Sequence, residues 1–155
     1  MLELETQDIL LLKELQKDAR SSISYLSERS HLSKASVQRR IKHFRDVGVI
    51  QATTNHLNAD LLGQNMTFIV MVEMERERLD QLDEFKKLAS NDSNVQQCYY
   101  VTGEADFVLI CLTSNMADFE ALTQRLFFEN NNVRRFRTNV VMKKVKVSLD
   151  VPLTV

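Results

Sequence analysis

The periodicity of hydrophobic residues changes once along this 155-residue chain. Up to residue 48, apolar side chains recur every three or four positions, which is typical of helices with one buried face. After residue 65, short runs rich in β-branched and aromatic residues alternate with two further helical stretches, as in a sheet packed against helices. The sequence therefore predicts two small domains, residues 1–55 and 66–155, joined by a linker at 56–65.

Three helices are predicted in the first domain, over residues 4–18, over residues 22–30 and from residue 34 onward. Ser22 and Ser33 are suited to cap the second and third helices, and Gly48 is suited to end the third. A core-facing stripe in the third helix consists of Val37, Ile41 and Phe44. Helices in this order, with a short link before the third, predict a helix-turn-helix unit.

Positive charge is concentrated in the third helix and just before it, although the whole chain has a net charge of −1. The segment 29–45 contains no acid and six basic residues: Arg29, Lys34, Arg39, Arg40, Lys42 and Arg45. In a helix-turn-helix the start of the second helix of the pair reaches base edges, and cations farther along bind phosphate. The DNA-binding candidates are Lys34, Ala35, Ser36, Gln38, Arg39, Lys42, His43 and Arg45.

These candidates have different chemistry. Gln38 can pair with adenine, Arg39 with guanine, and the Ala35 methyl can touch thymine. Lys42, Arg45 and Arg29 are suited to phosphate, where charge alone suffices. The alternative is that this is only a solvated helix face, as most charged helix faces are.

The second domain has the predicted order β-α-β-β-α-β, an α+β fold of the ferredoxin-like type. Strands are expected at 66–75, 94–102, 107–113 and 133–149, with helices at 79–90 and 116–129. Residues 49–56 are predicted to be extended, either as a wing of the helical domain or as a strand that leads out of it. The predicted fold is therefore a winged or helix-turn-helix three-helix domain followed by a ferredoxin-like βαββαβ domain.

One of only three glycines, Gly103, lies between two predicted strands in the stretch Val101-Thr-Gly-Glu-Ala-Asp106. Glycine permits a tight hairpin, and it also lets a ligand approach the backbone closely. Amide N–H groups and the Thr102 hydroxyl could bind a carboxylate, while Glu104 or Asp106 could bind an ammonium, and Tyr100 could close the pocket. The alternative is a hairpin in which Asp106 caps backbone amides, and the residues alone leave both open.

Four motifs in order resemble the Lrp/AsnC, or feast/famine, family of transcriptional regulators. They are the first helix from Leu4 to Arg20, the basic helix from Leu32 to Ile50, the connector from Leu57 to Gly63, and the Thr-Gly-x-x-Asp pattern at 102–106. In the first motif, Glu5 stands where the family usually has Asp. The resemblance covers nearly the whole chain.

The resemblance implies a regulator that binds double-stranded DNA and carries an effector-binding domain of the RAM type. It implies a homodimer formed through the C-terminal sheets, assembling to an octamer, and an amino acid or related metabolite as effector. By position in the family pattern, Arg134 and Phe136 join the effector-binding candidates Tyr100, Thr102, Gly103, Glu104 and Asp106. Arg40 matches the family's common arginine, and an alternative role is to pair with an acid such as Asp8.

A second basic run lies near the C-terminus, where residues 133–148 contain no acid. Its members are Arg134, Arg135, Arg137, Lys143, Lys144 and Lys146. They are interpreted first as charges that keep a long strand solvated and unpaired. The alternative is an auxiliary track for DNA wrapped around an oligomer.

Other classes of protein are less consistent with the sequence. The acidic N-terminus lacks the features of a secretory signal, and Cys98 and Cys111 are expected to be reduced thiols, so we expect a cytoplasmic protein without a membrane segment. No histidine, cysteine and carboxylate cluster with metal-ligand spacing and no phosphate-binding glycine loop is present, so neither an enzyme nor a cofactor or metal is expected. Two alternatives are an architectural DNA-compacting protein and an enzyme like the sirohaem decarboxylases, which resemble this architecture.

Overall fold

The computed structural model describes residues 3–154, which form two compact units. The first unit comprises the chain up to His56 together with the C-terminal segment from Lys146. The second unit comprises Leu57–Val145. The division at residue 56 lies at the predicted linker, whereas the C-terminal segment, assigned to the second domain on sequence grounds, groups with the first unit. No helix among residues 3–154 is both long and apolar enough to cross a membrane.

Within residues 3–56, the first unit contains three helices: α1 (Thr6–Lys17), α2 (Ile23–Ser30) and α3 (Lys34–Asp46). The two predicted N-caps are confirmed, because Ser22 Oγ accepts the Tyr25 N–H and Ser33 Oγ accepts the Ser36 N–H, both at 3.2 Å. Gly48 follows α3 with a φ of +78°, the left-handed conformation that ends many helices. The predicted three-helix outline of this unit is therefore confirmed.

The core of the first unit is built from the inward faces of all three helices. Its fully buried centre includes Leu11, Leu26, Val37 and Phe44, and Ile41 is 7% exposed. The stripe predicted for α3 is thus the buried face of that helix. Because this face is fixed against α1 and α2, the opposite face of α3 is turned to solvent.

The second unit is an antiparallel sheet with two helices on one face, in the predicted βαββαβ order. Its strands are β1 (Met66–Met74), β2 (Val95–Tyr100), β3 (Phe107–Thr113) and β4 (Val133–Val140), arranged β2-β3-β1-β4. The helices are α4 (Leu79–Asn91) and α5 (Met116–Thr123), and a π-helical turn at Gln124–Phe128 extends α5. A short 3-10 turn, Asp60–Leu62, precedes β1.

The two faces of this sheet are covered unequally. Alternate residues of the central strands β1 and β3 are fully buried beneath α4 and α5: Phe68, Val70, Val72, Phe107, Leu109 and Cys111. Successive side chains of a strand point to opposite faces, so the residues between them form the other face. That open face carries five half-buried apolar side chains: Ile69, Met71, Val108, Ile110 and Leu112.

The predicted strand at 133–149 is wrong in its length, because β4 ends at Val140. Val140 lies opposite Phe68 near the start of β1, and the Val141 N–H makes one further bond to the Thr67 carbonyl. Beyond this point β1 offers no more backbone partners, so the alternating sequence that follows does not extend the sheet. The predicted wing or strand at 49–56 is likewise not formed as a strand in this chain.

Candidate DNA-binding surface and effector site

The predicted DNA-binding residues lie on the solvent side of α3 or at its borders. Lys34, Ala35, Gln38, Arg39, Lys42, His43 and Arg45 are exposed, and Ser36 is partly buried. Ser36 also receives a 3.1 Å hydrogen bond from the Ser33 hydroxyl, so its own hydroxyl belongs to the helix cap. The structure therefore brings the predicted cations together on one accessible helix face.

Arg40 does not belong to that exposed set. Its guanidinium donates to Asp8 at 2.5 Å and to Glu5 at 2.7 Å, and its side chain is 23% exposed. The hydrogen bond to Asp8, followed by that to Glu5, raises the pKa of Arg40 above its ordinary value. The alternative role predicted for this arginine is confirmed: it ties α3 to the start of α1.

Lys42 forms an exposed ion pair on the solvent side of α3. Its ammonium lies 2.6 Å from Asp46 one turn away, and the two side chains are 77% and 56% exposed. Exposed ion pairs of this kind contribute little to the stability of the fold, because water screens the charges and ordering both side chains costs entropy. Lys42 can therefore exchange Asp46 for a phosphate at small cost.

A buried carboxylate joins α1 to α2. The side chain of Glu14 is 8% exposed and accepts hydrogen bonds from Lys17 and from the Tyr25 hydroxyl, each at 2.6 Å. The hydrogen bond from Lys17, followed by that from Tyr25, lowers the pKa of Glu14. Arg29, suited by sequence to contact phosphate, lies 3.8 Å from the same carboxylate. This arrangement fixes the helix that precedes α3.

The Thr-Gly-x-x-Asp stretch forms the hairpin between β2 and β3. The Val101 N–H donates to the Asp106 carbonyl at 2.9 Å, and Gly103 has a φ of +118°. Asp106 Oδ2 accepts the Met74 N–H at 2.6 Å, where β1 shifts register against β4. Asp106 thus caps a backbone amide, but the amide is that of Met74 in β1 and not one of the turn itself, while Thr102, Gly103 and Glu104 remain exposed.

Two of the predicted effector-site residues lie on the helix-facing side of the sheet, Tyr100 exposed at 54% and Phe136 half-buried. Tyr100 packs its ring 5.2 Å from Phe107, and Phe136 packs 4.6 Å from Phe127 and 5.4 Å from Phe128. The strands that carry Tyr100 and Phe136 are separated by β3 and β1, a distance of about 14 Å at ordinary strand spacing. Within one chain these two side chains therefore do not share a pocket.

A charged corner forms where β4 passes the turn. Arg135 and Arg137 donate to Glu73 at 2.7 and 2.9 Å, and Arg137 also lies 3.6 Å from Glu104. The hydrogen bond from Arg135 is the largest cause of the lowered pKa of Glu73. Arg134, the arginine predicted for the effector site, is exposed on the same strand and lies outside this ion-pair group. The side-chain alternation around the half-buried Phe136 could have indicated Arg135 and Arg137 instead, but their partner Glu73 follows only from the register.

Family models match both parts of the chain. A model described as "Lrp/AsnC ligand binding domain" matches residues 67–151, and one described as "Winged helix-turn-helix DNA-binding" matches residues 4–51. An HTH-type transcriptional regulator from Sinorhizobium fredii is 40% identical over 154 residues, covering 99% of this chain and 91% of that protein. A leucine-responsive regulatory protein from Rhizobium meliloti is 30% identical over 151 residues, covering 97% of each.

Solved structures agree with these relationships. A transcriptional regulator from Neisseria meningitidis in complex with L-Met superimposes with a TM-score of 0.91 at 25% identity, covering 97% of each chain. A feast or famine regulatory protein from M. tuberculosis complexed with L-methionine gives a TM-score of 0.85 at 26% identity, covering 96% of this chain and 99% of that one. The chain belongs to the Lrp/AsnC family of transcriptional regulators, with a helix-turn-helix domain at its N-terminus.

Proposed function

We propose that this regulator reads operator DNA with the exposed face of α3 and responds to a free amino acid bound beside the 101–106 turn. The observation that carries the DNA part is the division of charge on α3. Arg40 is held by two acids, whereas Lys34, Arg39 and Arg45 have no ion-pair partner among residues 3–154. We place its site of action in the cytoplasm, with the DNA.

Each exposed residue of α3 receives a proposed role. Gln38 and Arg39, in the first half of the helix, are placed to meet base edges, as is the methyl group of Ala35. Lys42, His43 and Arg45, farther along, are assigned to phosphate, together with Lys34 at the start of the helix. This assignment predicts two different responses to mutation, because base contacts specify sequence and phosphate contacts do not.

Binding to DNA selected from genomic fragments tests the assignment. Arg39→Ala is expected to weaken the binding free energy by about 1–3 kcal/mol and to relax the sequence preference at the base pair that Arg39 contacts. Lys42→Ala is expected to weaken binding to all sequences alike and to reduce the slope of log K against log salt by about one. Lys87→Ala, an exposed cation on α4, is the matched control. Unchanged binding in both α3 variants would refute the assignment.

The proposed effector is an amino acid, and the relatives crystallised with L-Met support this class. Its carboxylate would be bound by backbone N–H groups near Gly103, by the Thr102 hydroxyl and by an arginine of β4. Its ammonium would be bound by Glu104 and by Asp106, which keeps one oxygen on the Met74 amide. Tyr100, Arg134 and Phe136 are assigned to the same site as contributions from nearby or from a neighbouring subunit, since one chain keeps Tyr100 and Phe136 apart.

Calorimetric titration with L-methionine, and then with each of the common amino acids, tests the effector site. Asp106→Ala is expected to abolish binding. Because that change also removes the bond to the Met74 amide, Glu104→Gln, at a side chain 80% exposed, provides a variant that leaves the hairpin intact. Glu77→Gln, an exposed acid outside the site, is the control. Equal heats of binding in all of these proteins would reject the site.

We further propose a homodimer formed through the open face of the sheet, with dimers assembling to an octamer as the family resemblance implies. Five half-buried apolar side chains that adjoin one another on one sheet face support a partner there, since contiguous apolar patches mark association surfaces. Ile110→Asp is expected to reduce the mass measured by light scattering to that of one chain. Leu79→Asp, at a residue 77% exposed on α4, should leave the mass unchanged.

A further inference from the structure

The C-terminal strap, defined here as residues 146–154, returns from the sheet to the DNA-binding unit. The chain leaves that unit after His56, forms the sheet, and rejoins the unit at Lys146, a few residues after β4 ends. The strap forms neither helix nor strand within the described residues. Two contacts nevertheless fix the strap to the DNA-binding unit.

The first contact is made by the side-chain amide of Gln16, near the end of α1. Its Nε2 donates to the Val151 carbonyl at 3.2 Å, and its Oε1 accepts the Val151 N–H at 2.7 Å. One side chain therefore satisfies both polar backbone groups of a single residue, as a neighbouring strand would. The next residue is Pro152, the only proline of the chain, whose ring restricts the backbone and reduces the entropy lost on docking.

The second contact is apolar. Leu153 is partly buried and packs against the cluster that contains Leu11 and Phe44. The other apolar residues of the strap are not used in this way, since Val147, Leu149 and Val151 are 75%, 74% and 60% exposed. Only one apolar side chain is inserted, at the position next to the proline, so the docking has a defined register.

We infer that the C-terminal strap is a fourth structural element of the DNA-binding unit, and that Gln16 and Leu153 are positioning residues for α3. The strap acts on α1 through Gln16 and on the core through Leu153. Helix α1 and its N-cap residue in turn supply Asp8 and Glu5, which hold Arg40 of α3. Release of the strap therefore loosens the support of α3 and lowers DNA affinity without removing any contact to DNA. This last step rests on the proposed DNA-binding role of α3.

Amide hydrogen exchange measured by NMR on the full chain tests the docking independently of DNA. The Val151 amide is expected to exchange slowly, and Gln16→Ala is expected to speed its exchange about two- to tenfold, the effect of one net hydrogen bond. The exposed Leu149 in the same strap is the internal reference, and its amide rate should not change. Equal Val151 rates in the parent and in Gln16→Ala would overturn the inference.

DNA binding tests the positioning role with a matched pair of variants. Leu153→Ala is expected to weaken binding about three- to tenfold relative to Leu149→Ala, with an unchanged salt slope because no phosphate contact is lost. Arg39→Ala is measured beside them. Loss in Arg39→Ala together with equal affinity in the two leucine variants overturns the strap inference and leaves the α3 assignment standing. Loss in Leu153→Ala without loss in Arg39→Ala supports the strap and refutes the assignment of Arg39.

Discussion

The ion pair between Arg40 and Asp8 offers the sharpest test of how the DNA-binding unit is held together. Arg40→Ala removes the guanidinium from the carboxylate of Asp8, whose side chain is 10% exposed, and from Glu5, whose side chain is 65% exposed. Asp8 is left mostly buried with its charge no longer matched. The substitution therefore perturbs the support of α3 rather than its DNA-facing surface.

The expected cost follows from how far the pair is buried. Exposed ion pairs contribute about 0.2–1 kcal/mol, whereas removing one partner of a fully buried pair costs about 3–5 kcal/mol. With its two side chains 23% and 10% exposed, this pair lies between these limits. We therefore expect Arg40→Ala to lower the free energy of unfolding by about 2 kcal/mol. The free energy of unfolding of a small domain is only about 5–15 kcal/mol in total, so a loss of this size is easily measured.

Urea unfolding followed by circular dichroism at 222 nm is the assay, with a double-mutant cycle of Arg40→Ala and Asp8→Ala. The coupling energy of the cycle isolates the pair from the loss of packing by either side chain. Lys42→Ala is the comparison, since it breaks the exposed pair with Asp46. An i, i+4 pair on a helix surface contributes only about 0.3–0.5 kcal/mol.

If Arg40→Ala lowers the free energy of unfolding no more than Lys42→Ala does, or if the coupling energy between Arg40 and Asp8 is near zero, this ion pair does not stabilise the unit. DNA binding adds a second distinction. In Arg40→Ala the loss of DNA affinity should accompany the loss of stability, whereas Arg39→Ala should lose affinity at unchanged stability. A stable Arg40→Ala protein with impaired DNA binding would assign Arg40 to the DNA surface instead.

Three further tests address the pH dependence, the thiols and a helix end. The pKa of Glu14 is lowered in the folded chain, so the ionised carboxylate stabilises the fold above its ordinary pKa of 4.5, and this stabilisation is lost as the pH falls below that value. Glu14→Gln should therefore reduce the dependence of the free energy of unfolding on pH in this range, measured by urea unfolding. Burial raises the pKa of the Cys111 thiol to about 12, so iodoacetamide at pH 8 should label Cys111 only after unfolding. Peptide mapping separates Cys111 from the half-buried Cys98, and rapid labelling of Cys111 in the native chain would contradict its burial. Gly48→Ala should lower the free energy of unfolding by about 1–2 kcal/mol, because alanine is strained at a φ of +78° even though no atom lies within 4 Å of the added methyl group. An unchanged melting temperature in thermal unfolding would exclude this strain.

The elements of the fold could be predicted because their signals are local. The α3 stripe, the caps at Ser22 and Ser33 and the stop at Gly48 each depend on residues within one or two turns, and the structure confirms all of them. The length of β4 could not be predicted in the same way. Residues 141–149 have the alternation of a strand, but pairing requires a neighbour, and β1 begins at Met66.

The candidate effector site was predictable only in part, for a related reason. The turn at Gly103 is a local feature, and its place between two strands is confirmed. The grouping of Glu73 with Arg135 and Arg137 depends on the register between β1 and β4, which includes a shift at Glu73/Met74. A shift of one residue would place the opposite set of side chains at the turn. No pattern within either strand alone contains that information.

Ion pairing also divides the cations of this regulator into two classes that salt should separate. Arg40, Arg125 and Arg135 each contact a carboxylate whose side chain is at most 15% exposed. Such pairs are shielded from the solvent, so added salt should weaken them little. In their proposed role the exposed cations of α3 displace condensed counterions from DNA phosphates, so their contribution to DNA affinity should fall steeply with salt. DNA affinity should therefore decline over a range of salt in which the helical circular-dichroism signal stays constant, because Arg40, which supports α3, is different from the cations proposed to meet the DNA.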